Sequence, residues 1–204
     1  MAFLGEITKF NKKSLQNVET QITTPAGQRI LESHSTDWDK ISKQVTDEGT
    51  LGFIGDYKPD LQVLEVRPRL FLSSQDVAAS LDLLQEHNIT HILNVASLVE
   101  NSFPAMFTYK TCKILDLPEV PITRHFDECF QFIETGLSEG GILVHCNAGR
   151  SRSVTIVTAY LMKTERITLD VILKEMKEQR PGVQPNPGFM MQLKEYEKNV
   201  LGDQ

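Results

Sequence analysis

The residues best suited to chemistry in this sequence lie in one stretch, Gly141 to Ser153, read GILVHCNAGRSRS. Cys146 and Arg152 stand there with five residues between them, a thiol able to attack and a guanidinium able to hold an oxyanion. The apolar run Ile142, Leu143 and Val144, bounded by glycine, reads as a buried strand ending at His145 and Cys146. The run SVTIVTAYLM that follows has the composition of a buried helix. The thiol therefore sits between a strand end and a helix start. Successive loop N–H groups and the positive end of the helix dipole make a nest for an anion in that setting, and a phosphate fits it.

Each residue type in the loop has a chemical use. A thiol at a helix N-terminus beside an arginine is favoured as the thiolate, the nucleophilic form. Arg152 can fold back over the loop and grip two phosphoryl oxygens, which the point charge of a lysine would not reproduce. The nest itself is the backbone of Asn147, Ala148, Gly149, Arg150 and Ser151, with Gly149 permitting angles that other residues resist. The Ser153 hydroxyl is placed to hydrogen-bond the sulfur, and His145 supports the nucleophile from the strand side. Taken alone, a cysteine at a strand end is a small packing residue and an arginine is a solvated charge. Their combination, in the strand, loop and helix context that the chemistry requires, points to a reaction centre.

His145-Cys146, five residues and Arg152-Ser153 form the signature of cysteine-dependent protein phosphatases. Ala148-Gly149-x-Ser151-Arg152-Ser153 resembles their dual-specificity branch. Arg69-Leu70-Phe71-Leu72-Ser73-Ser74-Gln75-Asp76, Ile92-Leu93-Asn94-Val95 and the run RPGVQPNPGFMMQL from Arg180 resemble other parts of that family's domain, so the likeness covers about residues 61 to 201. The resemblance implies an α/β fold of the cysteine-phosphatase type. It implies hydrolysis of phosphotyrosine and phosphoserine or phosphothreonine through a phosphocysteine, with no metal or cofactor. Its implied partners are phosphorylated proteins, MAP kinases or their upstream kinases among them, in stress-activated signalling. Arg150 departs from the family pattern, where a small or apolar residue is more familiar. Relatives acting on phosphoinositides or RNA 5′-phosphates carry extra basic residues in the loop, so such a substrate is the alternative. A catalytically silent scaffold that binds phosphoproteins is a third reading, opposed by the retention of Cys146, Arg152 and Asp116 together.

Expelling an alkoxide or phenolate requires a positioned acid. The segment TCKIL leads to Asp116, followed by the loop Leu117 to Pro121. Parallel strands bring their C-terminal ends to one edge of a sheet, where sites form, so Asp116 is expected at the mouth of the Cys146 loop. Ile114-Leu115-Asp116 also resembles the family's general-acid position. Glu119, on the same loop, is the rival acid, and a helix-capping aspartate is the plain structural alternative.

The elements that must position these groups are readable to either side. Leu61–Val66 and Leu70–Leu72 read as short strands of a hairpin or edge, with Pro68 between them. Ser74 to Asp76 offers caps to a helix through Leu84, ending near His87-Asn88. Ile92–Ala96 and Tyr109–Leu115 read as parallel strands. Helices are expected over Ile122–Leu137, with Phe126, Phe130 and Ile133 on one face, and from Leu169 to about Gln179. A last helix follows Asn186, its cap and a supporting residue of the site, with Pro187 at the first position. Strands alternating with helices imply a central, mostly parallel twisted sheet with helices on both faces.

The 204 residues suit one catalytic domain, residues 61–204, preceded by an N-terminal flank and linker, residues 1–60. In that flank Phe3, Ile7, Phe10 and Leu15 approach helical spacing. Lys9, Lys12 and Lys13 followed by Leu15 and Val18 resemble a basic-then-apolar kinase-docking peptide, with a solvated charged face as the alternative. Thr23 to Gly27 reads as a turn and Asp47 to Pro59 as a linker. The composition, 40% apolar and 24% charged, is ordinary for a soluble globular chain. No apolar stretch is long enough to span a membrane, and neither a secretory leader nor a myristoylation glycine opens the sequence. Cytoplasm or nucleus is therefore expected. The net charge of −6 argues against coating nucleic acid. Three cysteines are too few and unpatterned for a disulfide framework or metal cage, the five histidines show no ligand spacing, and Cys112 and Cys129 are expected to be inert core residues.

Overall fold

The computed structural model describes residues 59–202 together with the backbone strands 19–23, 29–34 and 41–47. The chain divides into two compact units, Met1–Lys58 and Pro59–Gln204. In the first, β1 (Glu19–Thr23), β2 (Arg29–His34) and β3 (Ile41–Asp47) form an antiparallel meander in the order β1-β2-β3. None of these strands is signalled by the sequence reading, because segments such as ISKQVTD are short and mostly polar, with no apolar run to mark them. The amphipathic spacing from Phe3 to Leu15 and the lysine-rich stretch fall outside the described residues.

The second unit is built on a five-stranded sheet of order β4-β5-β8-β6-β7. β4 (Leu64–Arg67) and β5 (Leu70–Ser73) form an antiparallel hairpin that turns at Pro68 and Arg69, the latter with φ of 68°. β5, β8 (Gly141–His145), β6 (Ile89–Asn94) and β7 (Thr108–Thr111) then run parallel. The mostly parallel sheet with helices on both faces is thus present, and the strand leading to Cys146 lies at its centre with every residue buried. Side chains alternate across the pleat. Leu70, Leu72, Leu93, Ile142 and Val144 enter the larger core, under α3 (Phe126–Glu139), α4 (Arg152–Glu165), α5 (Leu169–Gln179) and α6 (Pro187–Leu201). Phe71, Ile92 and Leu143 enter a smaller core with Val77 and Leu84 from two short helices, α1 (Gln75–Ala78) and α2 (Leu81–Glu86).

Several boundaries differ from those expected: the strands read at Leu61–Val66 and Ile92–Ala96 run instead over Leu64–Arg67 and Ile89–Asn94. The helix after Ser74 breaks in two where Ser80 takes an extended conformation (φ −104°, ψ 101°), consistent with the preference of serine for caps over helix interiors. The strand expected over Tyr109–Leu115 ends at Thr111, because β6, its only neighbour among the described residues, ends at Asn94; the N–H of Cys112 donates to the Asn94 carbonyl at 2.8 Å and the chain leaves the ladder. A 3₁₀ turn, Ile122–His125, precedes α3. Helix α4 is buried along its length from Arg152 to Met162, which is why after Arg152 that stretch carries no charged residue and is mostly apolar.

Candidate active site

Strand β8 delivers Cys146 to the carboxyl edge of the sheet, and the loop to Ser151 curls before α4 begins at Arg152. Gly149 adopts a φ of 61°, and a Cβ there would collide with the Ser73 carbonyl at the end of β5, so only glycine lets the loop pass so close. The Gln75 N–H donates to the Asn147 carbonyl at 2.8 Å, holding the loop from that side. Among the described residues, no backbone N–H from Asn147 to Val154 finds a protein acceptor. The first N–H groups of a helix lack intrahelical partners unless a cap supplies one. Here Ser151 occupies the cap position of α4 without capping it, and its hydroxyl donates instead to Asp116 Oδ1 at 2.7 Å. The loop therefore keeps a continuous row of free donors at the positive end of a buried helix, as expected of an anion cradle.

The side chains complete the cradle. Cys146 is 1% exposed, with Sγ 3.3 Å from Ser153 Oγ. The buried Arg152 donates through Nη1 to the Ile114 carbonyl at 3.0 Å and through Nη2 to Asn147 Oδ1 at 2.8 Å. Its Nε is buried without a hydrogen-bond partner and lies 3.5 Å from Asp116 Oδ2. An orphaned guanidinium N–H is costly to bury, and an oxyanion in the loop would satisfy it. Asp116 lies past the end of β7, on the extended run from Cys112, and is fixed from two directions. Besides Ser151, Asn186 donates to its Oδ1 through Nδ2 at 2.8 Å. The same Asn186 caps α6 by accepting from the Phe189 N–H at 2.9 Å, and its own N–H donates to Ser151 Oγ at 3.1 Å. Beyond Asp116, the Gly188 backbone lies so close to the Pro118 carbonyl that a Cβ would overlap it, and Gln192 Nε2 donates to the Val120 carbonyl at 2.9 Å. Glu119 is exposed on that loop and makes none of these contacts.

A profile described as the catalytic domain of dual specificity phosphatases matches residues 70–199. This chain belongs to the dual specificity phosphatases. It is accordingly an enzyme of the protein tyrosine/serine/threonine phosphatase class. The chain is similar to mouse "Dual specificity protein phosphatase 19", with 44% identity over 94% of this chain and 88% of that one. It is also similar to the Dictyostelium discoideum "MAP kinase phosphatase with leucine-rich repeats protein 3", with 43% identity over 67% of this chain and 16% of that protein. Among solved structures, that of DUSP15 superposes with a TM-score of 0.63 and 40% identity, covering 66% of this chain and 86% of that one.

In this phosphatase the loop after Cys146 is also held from behind. Arg180, 3% exposed, donates through Nε to the Gly149 carbonyl at 3.2 Å and through Nη2 to the Ala148 carbonyl at 3.0 Å. Its remaining donors reach the Gln62 carbonyl at 3.1 Å and the carboxylate of Asp60, with which it forms an ion pair. Drawing loop carbonyls outward leaves the opposite edge of those peptides, their N–H groups, turned toward the cradle. Sequence reasoning missed this residue: Arg180 reads as the stop signal of α5, and its partner Asp60 lies 120 residues away.

His145 is 1% exposed, and its Nδ1 lies 3.2 Å from the Cys146 carbonyl. A carbonyl only accepts, so Nδ1 carries the hydrogen. Burial, reinforced by the Arg152 charge and only partly offset by the Cys146 carbonyl, lowers its pKa to about 4, so the imidazole is neutral at physiological pH. Ala148 and Arg150 are exposed, and Arg150 turns away along the surface to donate through Nε to the Gly182 carbonyl at 2.7 Å.

Proposed function

We propose that this phosphatase hydrolyses phosphoprotein monoesters through a phosphocysteine, without a metal in the chemical step. The Cys146 thiolate attacks phosphorus, the P–O bond to the substrate side chain breaks, and the departing oxygen takes a proton from Asp116. Water then attacks the phosphocysteine, giving its proton to Asp116 as the S–P bond breaks, which returns thiolate and acid to their starting states and releases phosphate. Arg152 and the loop N–H groups hold the three non-bridging oxygens as charge shifts among them. Ser153 donates to the sulfur and steadies the thiolate when it leaves. The observation that carries this reading is that Cys146 Sγ, the unpartnered N–H row, the orphaned Arg152 Nε and the tethered Asp116 are gathered around one loop.

We further propose that its substrates belong to MAP kinase signalling, a reading supported by the name of the Dictyostelium relative, and that it meets them in the cytoplasm or nucleus. The phosphoinositide or RNA 5′-phosphate alternative rested on Arg150, whose side chain is engaged with Gly182 and lends it no support. The experiment is turnover of an aryl phosphate and of phosphopeptides in EDTA by wild type and Cys146→Ser, with rapid acid quench to trap phosphate on the chain. Wild-type activity in EDTA, a quenched phosphoenzyme and loss of both in the variant are expected. Activity of Cys146→Ser within about tenfold of wild type, some 1.4 kcal/mol, refutes the nucleophile.

A further inference from the structure

Away from the reaction centre, the fold gathers donors that the sequence leaves scattered. Cys112 lies just past β7, His125 ends the 3₁₀ turn, and Glu128 lies in the first turn of α3. One ligand atom from each (the Cys112 sulfur, a His125 ring nitrogen and a Glu128 oxygen) falls within 4.8 Å of the others. A tetrahedral zinc ion, with bonds of about 2.0–2.3 Å to such donors, holds them roughly 3.3–3.8 Å apart. The widest separation therefore exceeds that spacing by at most roughly 1–1.5 Å. The set is graded in depth: Cys112 is buried, His125 is half-buried and Glu128 is exposed, so an ion can enter from the Glu128 side and seat on the sulfur.

The neighbouring contacts set how an ion would be held. His125 Nδ1 and Glu128 Oε1 already face each other at 2.7 Å, the contact an ion would replace. Lys110 Nζ holds the second oxygen, Oε2, at 3.2 Å, leaving Glu128 to ligate through one oxygen. On the buried side the Cys129 thiol donates to Cys112 Sγ at 3.7 Å, stabilising the sulfur as an acceptor. Thiolate, imidazole and carboxylate together favour a soft or borderline divalent transition ion over magnesium or calcium.

We propose that Cys112, His125 and Glu128 form a binding site for one divalent transition ion of the zinc class, with the fourth position open to water. The site joins the segment leading from β7 to the start of α3. Its effect is on stability, since an ion bound only by the folded chain raises its melting temperature. It is separate from Cys146 and takes no part in the proposed hydrolysis.

The test uses the full chain with Cys146→Ser, which removes the other available thiolate, kept reduced with a phosphine and freed of metal. Titration with Co²⁺ should give a thiolate-to-cobalt charge-transfer band saturating at one ion per chain, and Zn²⁺ should displace the cobalt and raise the melting temperature. Adding Cys112→Ser should abolish the band. Changing a group that only orients a ligand typically weakens affinity by roughly 10–100-fold, so Cys129→Ser, which keeps a donor, should fall at or below that range. His125→Ala and Glu128→Gln, both on the accessible side, should exceed it and lose the thermal shift. Those two surface variants keep the test decisive if Cys112→Ser does not fold. The absence of a charge-transfer band, its persistence in Cys112→Ser, or undiminished affinity in both surface variants overturns the proposal.

Discussion

Acidification is expected to withdraw stability through one buried side chain. His145 stays neutral in the fold until about pH 4, against an ordinary value of 6.5, chiefly because burial penalises the cation. Between those values the unfolded chain binds a proton that the folded chain refuses, so the unfolding free energy falls as pH falls. At 1.36 kcal/mol per pH unit, a gap of roughly 2.5 units removes about 3 kcal/mol between pH 7 and pH 4. That is a large share of the 5–15 kcal/mol typical of a domain. Carboxylates in general also titrate in this range, so the informative quantity is the difference between wild type and His145→Asn, whose amide can still donate to the Cys146 carbonyl. The assay is urea unfolding followed by far-ultraviolet circular dichroism at several pH values. All α-helices among the described residues lie between Gln75 and Leu201, so the signal reports on this unit. Wild type should lose about 3 kcal/mol more than the variant on going from pH 7 to pH 4. Parallel curves would show that His145 is protonated in the fold and refute the argument.

Two further substitutions probe the site. Asp116→Asn keeps an oxygen for Ser151 and Asn186, so the loop should stay in place while the proton is lost; turnover of phosphotyrosyl and alkyl phosphates should fall by roughly 10²–10⁴-fold, and that of activated aryl phosphates far less. Equal losses on both, or a larger effect from Glu119→Gln, would move the role elsewhere. Arg180→Met releases the Ala148 and Gly149 carbonyls and should cost about 1–3 kcal/mol of stability. It should also weaken inorganic phosphate binding to the folded variant, whereas unchanged phosphate affinity would mean that Arg180 serves the fold alone.

What the sequence reveals is what short-range rules control. The central strand and α4 are legible because full burial makes both apolar, and α6 because Asn186 and Pro187 announce its start. The pairing of Cys146 with Arg152 and Ser153 is legible because one loop carries all three. The rule for parallel strands points to the edge of the sheet where Asp116 lies, although this residue stands beyond the ladder and not at a strand end. Contacts joining distant segments left no local mark. Ser151 stands at the cap position of α4, yet its hydroxyl serves Asp116, a partner 35 residues away. Cys112 and His125 have no ligand spacing until the end of β7 and the start of α3 meet. The early end of β7 depends on where its neighbour β6 stops, not on propensity.

The apposition of Gly188 and Pro118 has a dynamic consequence. Many enzymes bring a catalytic group to the substrate on a loop that closes at each turnover, so opening or closing can limit the rate. Here the carboxylate proposed as the acid stands on a segment pressed backbone to backbone against α6 and tied to it again through Asn186 and Gln192. Its ordering is settled once, when the chain folds, instead of being repeated with each substrate. The mouth of the pocket therefore behaves as a fixed aperture. A partner or modification that tunes this phosphatase has no gate to hold open or shut at this loop, and must act on which phosphoproteins reach the aperture or on the sulfur at its floor.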